Sequence, residues 1–185
     1  MDQVTGLPEH FYAKQQPSRN LEERLDSVEE FFKAFPIEKR SGGIRAYYSP
    51  SEDYIQLPPY DSFACRSSFY ATMAHESIHA TGSPKRLNRE FGKRFGDKQY
   101  AFEELIAELG AAFLCADLSI TPEVMPEHGQ YLQVWLSILK DDSKALFTAA
   151  SHASRAVDFL HELQPAVEAE FGNEVDCQTE AEQFA

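Results

Sequence analysis

The chain has 185 residues, of which 43% are hydrophobic and 12% aromatic, so it has enough apolar surface for one globular core and is not globally disordered. Its formal net charge of −13 opposes binding to nucleic-acid phosphates by the protein as a whole, and we expect DNA binding to be weak or absent. The sequence lacks a membrane-spanning apolar stretch, a signal peptide and a paired-cysteine pattern, which predicts a soluble, cytoplasmic protein without a membrane partner.

The first part of the chain predicts a helix followed by a hairpin. Residues 1–19 show no hydrophobic periodicity and are expected to form a loosely ordered lead-in to one domain over 20–163. An amphipathic helix that ends before Pro36 follows from the spacing of Leu21, Leu25, Val28, Phe31, Phe32 and Phe35. Aromatic and β-branched residues around a Ser-Pro turn then predict two strands, near 44–48 and 54–57.

Four further helices are predicted. The first runs through the segment FYATMAHESIHAT, with Ser67 or Ser68 as its cap, and ends at Gly82. The next covers about 99–118, and its core-facing residues are expected to be Phe102, Leu105, Ile106, Leu109, Phe113 and Ala116. Gly110 in its middle costs about 1 kcal/mol relative to Ala, which the close approach of another helix would explain. Two more helices are predicted over about 126–140 and 143–163, the latter with Leu146 in the core.

Charge is unevenly distributed along the chain. Residues 85–98 form a basic segment, which is either a solvated connector or a local contact for an anion or nucleic acid. Residues 164–185 form an acidic tail without Lys or Arg, which we expect to be solvated; attraction of a basic partner is the alternative.

The segment His75-Glu76-Ser77-Ile78-His79 is an HExxH motif. On a helix, its two histidines lie one turn apart on one face, where both imidazoles can reach a single metal ion. Glu76 lies beside that face, close enough to act on a water molecule at the metal without being a ligand. A hydrogen-bonded role in the core is the structural alternative for each histidine.

The following helix offers three carboxylates for the third ligand that a catalytic zinc requires. Glu104 and Glu108 are four residues apart and share a face, so Glu104 is the candidate ligand. Glu108 is expected to support a ligand histidine from outside the coordination sphere. Glu103 points about 100° away on the helix and is expected to be solvated.

Other side chains are weaker candidates. His128, Tyr131 and Tyr100 are candidate hydrogen-bond donors to a transition state. A cysteine nucleophile at Cys65, paired with a distant histidine, is a minor alternative. Phosphate-loop, dinucleotide-binding and esterase motifs are absent from the sequence.

Several strings together resemble a known family. They are Tyr47–Pro50, Asp53–Pro58, His75–Gly82, Arg86–Arg89 and Tyr100–Leu109. Over about residues 20–163, the chain resembles the zincin-like metallopeptidase domain found at the C-terminus of ArdC-type antirestriction proteins and in related plasmid primase-associated proteins.

The resemblance implies an α+β, zincin-like fold that is helix-rich, with a small antiparallel sheet or hairpin beside the metal site. It implies one divalent metal ion held by His75, His79 and Glu104, with Glu76 as the general base. Zinc is the first expectation, with manganese or cobalt as alternatives. The resemblance also implies a mobile-element setting in which incoming DNA is protected from restriction. The family has a separate domain for single-stranded DNA, which we do not expect within these 185 residues.

Two hypotheses of function follow. The first is a metal-dependent peptidase that hydrolyses a peptide or protein, with the predicted hairpin aligning an extended substrate. The alternative is a catalytically inactive, metal-stabilised protein that contacts a restriction or DNA-processing protein, with its acidic surface mimicking the charge of DNA.

Overall fold

The computed structural model describes residues 21–90, 98–120, 135–136, 139–140, 142 and 144–165, with side chains described from residue 26 onward. In chain order, the elements are α1 (Leu21–Ala34), β1 (Glu38–Ser41), β2 (Tyr47–Ser49), β3 (Tyr54–Leu57), α2 (Arg66–Thr81), α3 (Lys98–Asp117) and α4 (Ala145–Glu162). A short 3-10 turn, Tyr60–Ser62, precedes α2. The predicted α+β class is confirmed. Within the described residues, no helix combines the length and apolar character that crossing a membrane requires.

The three strands form one mixed sheet with β3 in the middle. β2 and β3 are the predicted antiparallel hairpin, in which Tyr48 pairs with Ile55. β1 pairs with β3 in parallel, with Lys39 opposite Ile55. The expectation of an antiparallel sheet was therefore incomplete, because the sequence of β1, Glu-Lys-Arg-Ser, has no apolar alternation that would predict a strand.

Helix α2 is central to the packing, because it contacts α3, α4 and strands β2 and β3. Ile78 of α2 is fully buried, and a Cβ atom added to Gly110 of α3 would lie 2.9 Å from two of its side-chain carbons. Gly110 therefore allows close helix approach, as predicted. This approach brings the HExxH motif of α2 against the carboxylates of α3.

Some sequence predictions at helix ends and on the core face were wrong. Cys65, in extended conformation, is the N-cap of α2, so Ser67 and Ser68 already lie inside the helix. Phe113 and Leu146 are 38% and 40% exposed, and Ala116 is also exposed. In its second half, α3 packs instead through Ala111, Leu114 and Cys115.

The predicted helix over 126–140 lies largely outside the described residues. Helical conformation is described at 135–136 and 139–140, where the Trp135 indole donates a hydrogen bond to the Ala101 carbonyl oxygen at 3.1 Å. The lead-in 1–19 and nearly all of the tail 164–185 are also outside the described residues, so the domain boundaries stay predictions.

The first arginine of the basic segment connects the hairpin to the end of α2. Arg86 donates hydrogen bonds to both carboxylate oxygens of Asp53, at 2.8 and 3.2 Å, and to the Ala80 carbonyl oxygen at 2.9 Å. The Tyr48 hydroxyl donates to the same carboxylate at 2.9 Å. The Arg86 guanidinium, helped by Tyr48 and Lys85, lowers the pKa of Asp53 to about 2 against a smaller opposing effect of burial. Arg86 is thus an internal structural residue.

Candidate metal centre

The two histidines of α2 face each other across one helical turn. The Nε2 atoms of His75 and His79 lie 3.2 Å apart, and the ring planes are inclined by 79°. Their side chains are 20% and 12% exposed, so the pair is largely shielded but reachable from solvent. Both Nε2 atoms therefore point at the same small volume.

Glu104 of α3 adds a carboxylate to that volume. One of its oxygens lies 3.6 Å from His75 Nε2, and the other lies 3.6 Å from His79 Nε2. One ligand atom from each of the three residues lies within 4.8 Å of the others. A tetrahedral zinc ion with bonds of about 2.0–2.1 Å would place its ligand atoms about 3.3–3.4 Å apart. The observed spacing and donor set fit a single divalent ion.

The local charge also favours a cation. Burial acts to lower the pKa of His75, but the carboxylates of Glu104, Glu76 and Glu108 together raise it to about 9. Burial acts to raise the pKa of Glu104, yet the two histidines and a hydrogen bond from Tyr100 hold it below its ordinary value. The carboxylates around the imidazoles therefore create a negative potential, which would attract a metal ion.

Glu76 follows His75 directly on α2 and is buried, with 7% of its surface exposed. Its carboxylate makes no hydrogen bond or ion pair to the part of the chain that the structure describes. Among the described residues, its oxygens do not belong to the fully buried side-chain atoms that lack a hydrogen-bond partner, so they reach solvent, where a water or substrate molecule can be their partner.

Glu103 is buried, with 3% of its surface exposed, so the expectation that it is solvated was wrong. One of its oxygens lies 3.3 Å from His79 Nδ1. An imidazole has nitrogens on two edges, so a closely packed helix can present neighbouring residues to both: Glu104 meets Nε2 and Glu103 meets Nδ1. The sequence prediction considered only the angle of about 100° between Glu103 and Glu104 around their own helix. It therefore did not show that both residues can contact the same imidazole ring.

Arg89, from the loop after α2, completes the surroundings of Glu103. It donates to both Glu103 oxygens, at 2.7 and 3.0 Å, and to the Ile78 carbonyl oxygen and the Thr81 hydroxyl, at 2.7 and 2.8 Å. Sequence reasoning missed Arg89 because it placed the residue in a solvated basic segment. Burial effects favour the neutral carboxyl, but His79 and Arg89 together keep the pKa of Glu103 below its ordinary value.

The remaining candidates are placed as follows. Glu108 has an oxygen 3.9 Å from His75 Nδ1, which is on the predicted side but beyond hydrogen-bond distance. Tyr100 hydrogen-bonds to Glu104. Cys65 precedes His75 by ten residues, about 15 Å along the helix axis, so nothing here connects it to this centre. His128 and Tyr131 lie outside the described residues.

Two depressions, of about 570 and 600 Å³, occur on the described surface, and the three converging residues line neither of them. The second includes Arg89 and Glu103. The candidate centre is thus identified by its converging ligand atoms. Such convergence indicates metal binding more specifically than a surface depression does.

The chain is similar to a known protein family and to curated proteins. A family model described as zincin-like metallopeptidase matches residues 26–152. The uncharacterized protein y4eC of Sinorhizobium fredii (strain NBRC 101917 / NGR234) is 42% identical over 142 residues, which are 77% of this chain and 46% of y4eC. A DNA primase TraC of Escherichia coli is 34% identical over 166 residues, which are 86% of this chain and 14% of the primase. The chain therefore spans less than half the length of these relatives.

Solved structures of the antirestriction protein ArdC from plasmid R388 are similar to this chain. The Mn(II)-bound structure is 40% identical with a TM-score of 0.70, over 88% of this chain and 59% of that chain. The metal-free structure is 42% identical with a TM-score of 0.67, over 88% of this chain and 57% of that chain. The likeness in fold covers most of this chain but less than two thirds of ArdC.

Proposed function

The chain belongs to the zincin-like metallopeptidase family, and from this premise we propose that it is a metal-dependent peptidase. The observation that carries the proposal is the convergence of His75 Nε2, His79 Nε2 and the Glu104 carboxylate on one volume beside the buried Glu76. His75, His79 and Glu104 would hold one divalent ion. Zinc is the usual ion for a two-histidine, one-glutamate catalytic set, and the Mn(II)-bound ArdC structure supports manganese as the alternative.

The division of roles follows from the position of each side chain. A bound divalent ion would supply Lewis-acid polarisation of a water molecule and of the scissile carbonyl. Glu76 accepts the proton of the attacking water and returns it to the leaving amine. The absence of a fixed partner for Glu76 among the described residues supports this role, because a carboxylate already held by an arginine would be a poor proton acceptor.

We propose a peptide or protein as the substrate. Strand β2 lies at an edge of the sheet, and its outer backbone groups are suited to aligning an extended chain. An antirestriction protein and a DNA primase among the relatives support a setting in which the substrate or partner is a restriction or DNA-processing protein.

The test compares the wild type with Glu76→Gln, using elemental analysis and hydrolysis of a broad peptide library with zinc, manganese or cobalt. Glu76→Gln is expected to keep the fold and one equivalent of metal but to lose about 10²–10⁴-fold in hydrolysis. Glu162→Gln, an exposed change at the end of α4, is the control for removal of a charge. A metal-loaded wild type that cuts no peptide would instead favour the inactive, metal-stabilised binding protein.

A further inference from the structure

We propose that Arg89 and Glu103 form a positioning pair, which presents the Nε2 atom of His79 to the metal ion and keeps the Glu103 carboxylate away from that ion. The inference rests on the metal site of the proposed function, but not on peptide hydrolysis. It assigns a task to two buried residues that the peptidase mechanism does not itself use.

The first step is the protonation pattern of His79. A neutral imidazole carries one N–H, and the nitrogen without it is the one that can bind a metal. Nδ1 of His79 lies 3.3 Å from a Glu103 oxygen, which accepts a hydrogen bond from it. With the proton on Nδ1, the lone pair lies on Nε2, the atom that faces His75 and Glu104.

The second step is the choice between two adjacent carboxylates. Glu103 and Glu104 both approach His79, at 3.3 and 3.6 Å, so either could in principle be drawn to a cation. Arg89 occupies both oxygens of Glu103 with a bidentate pair of hydrogen bonds. Glu104, which has no arginine partner among the described residues, is left to bind the ion.

The third step is the rigidity of the pair. The side chains of Arg89 and Glu103 are 5% and 4% exposed, so solvent competes little for their hydrogen bonds, although both residues contribute to the wall of the second depression. Arg89 also bonds to the Ile78 carbonyl oxygen and the Thr81 hydroxyl in the last turns of α2. The network therefore fixes Glu103 of α3 relative to the helix that carries His79.

The experiment measures zinc and manganese affinity by chelator competition for Arg89→Gln, Glu103→Gln and the double variant. Each single change is expected to weaken metal binding about 10–100-fold, the range for partners that orient a ligand. Because Arg89 acts through Glu103, the double variant should bind no more weakly than Glu103→Gln alone. Long-range ¹⁵N NMR of the zinc-loaded wild type should show His79 protonated on Nδ1.

Arg86→Gln is the matched control, because it removes another arginine–carboxylate pair and a carbonyl contact from the same loop without touching a histidine. It should leave metal affinity within about twofold of the wild type. Equal losses in Arg86→Gln and Arg89→Gln, additive losses in the double variant, or His79 protonated on Nε2 would each overturn the proposal.

Two further outcomes are distinguishable. If Arg89→Gln does not fold, Arg89→Lys keeps the charge without the bidentate fork, and unchanged metal affinity in it would overturn the proposal. A wild type that binds no metal would overturn the proposed function itself. If the wild type binds metal and Arg89→Gln binds it with the same affinity, only the positioning pair is overturned.

Discussion

Gly110 of α3 packs against Ile78 of α2 so closely that a methyl group on the glycine would lie 2.9 Å from both Cγ1 and Cγ2 of the isoleucine. Ile78 immediately precedes the ligand candidate His79, and Gly110 lies six residues after Glu104. The contact therefore sets the separation of the two helices that carry the candidate metal ligands.

Gly110→Ala is expected to destabilise the fold although Ala is the better helix former. The helix gains about 1 kcal/mol in propensity, but overpacking against a stiff β-branched side chain costs about 1–3 kcal/mol. The helices should move apart, so metal affinity should also fall. Urea unfolding and chelator competition measure the two effects.

The variant Ile78→Ala removes the side-chain carbons that would clash with the added methyl group. The double variant should therefore be more stable than the sum of the two single changes predicts. Strictly additive changes in stability would contradict the contact.

Removal of any one proposed ligand should abolish stoichiometric metal binding. Each of the variants His75→Ala, His79→Ala and Glu104→Ala keeps only two protein ligands, whereas a catalytic zinc site has three. The metal-dependent rise in melting temperature should disappear with the metal. Elemental analysis and thermal unfolding check this, with the exposed His161→Ala as the control. A Glu104→Ala protein that retains one equivalent of metal would refute Glu104 as the third ligand.

The fold was predictable where the residues of a single helix or hairpin carry their own sequence pattern. Helices α2 and α3 and the β2–β3 hairpin have clear periodicity or turn residues, and all were predicted close to their observed ranges. Strand β1 was not predicted, because its four polar residues carry no alternation and its pairing depends on β3, a partner distant in sequence. The conformation of β1 therefore depends on its pairing with β3 and not on its own sequence pattern.

The positions of the candidate ligands relative to one another were predictable in part. The i, i+4 spacing places His75 and His79 on one face, and the packing of α3 on α2 brings Glu104 close to both. The pair of Arg89 and Glu103 was missed, because a helical wheel describes one helix in isolation. Only the packed pair of helices shows that two neighbouring residues reach opposite edges of one imidazole ring.

Glu108→Gln should weaken metal binding less than Glu103→Gln does. The Glu108 oxygen is 3.9 Å from His75 Nδ1, whereas the Glu103 oxygen is 3.3 Å from His79 Nδ1. Glu108 is also the more exposed carboxylate, at 21% against 4%, so water can replace it as a partner. We expect a loss of about tenfold or less, at the lower end of the range for such partners. Chelator competition on both variants measures the two losses. A larger loss of metal affinity in Glu108→Gln than in Glu103→Gln would contradict this prediction.

The ion pair between Asp53 and Arg86 should make stability depend on pH in the acid range. The pKa of Asp53 is about 2 in the folded protein against an ordinary value of 3.8. Between these values the unfolded chain binds more protons than the folded one, so the stabilisation is present above about pH 4 and is lost as the pH falls toward 2. The lowered pKa corresponds to at most about 2 kcal/mol.

Asp53→Asn isolates this contribution, because Asn also tolerates the positive φ of 58° at this position. The wild type should be more stable than Asp53→Asn at neutral pH, and the difference should shrink steadily from pH 4 to pH 2. Urea unfolding at a series of pH values measures it. Glu52→Gln removes a charge from the adjacent exposed position without touching Arg86 and should show no such difference. A wild-type advantage that persists unchanged at pH 2 would mean that Asp53 stabilises the turn through its shape and not through its charge.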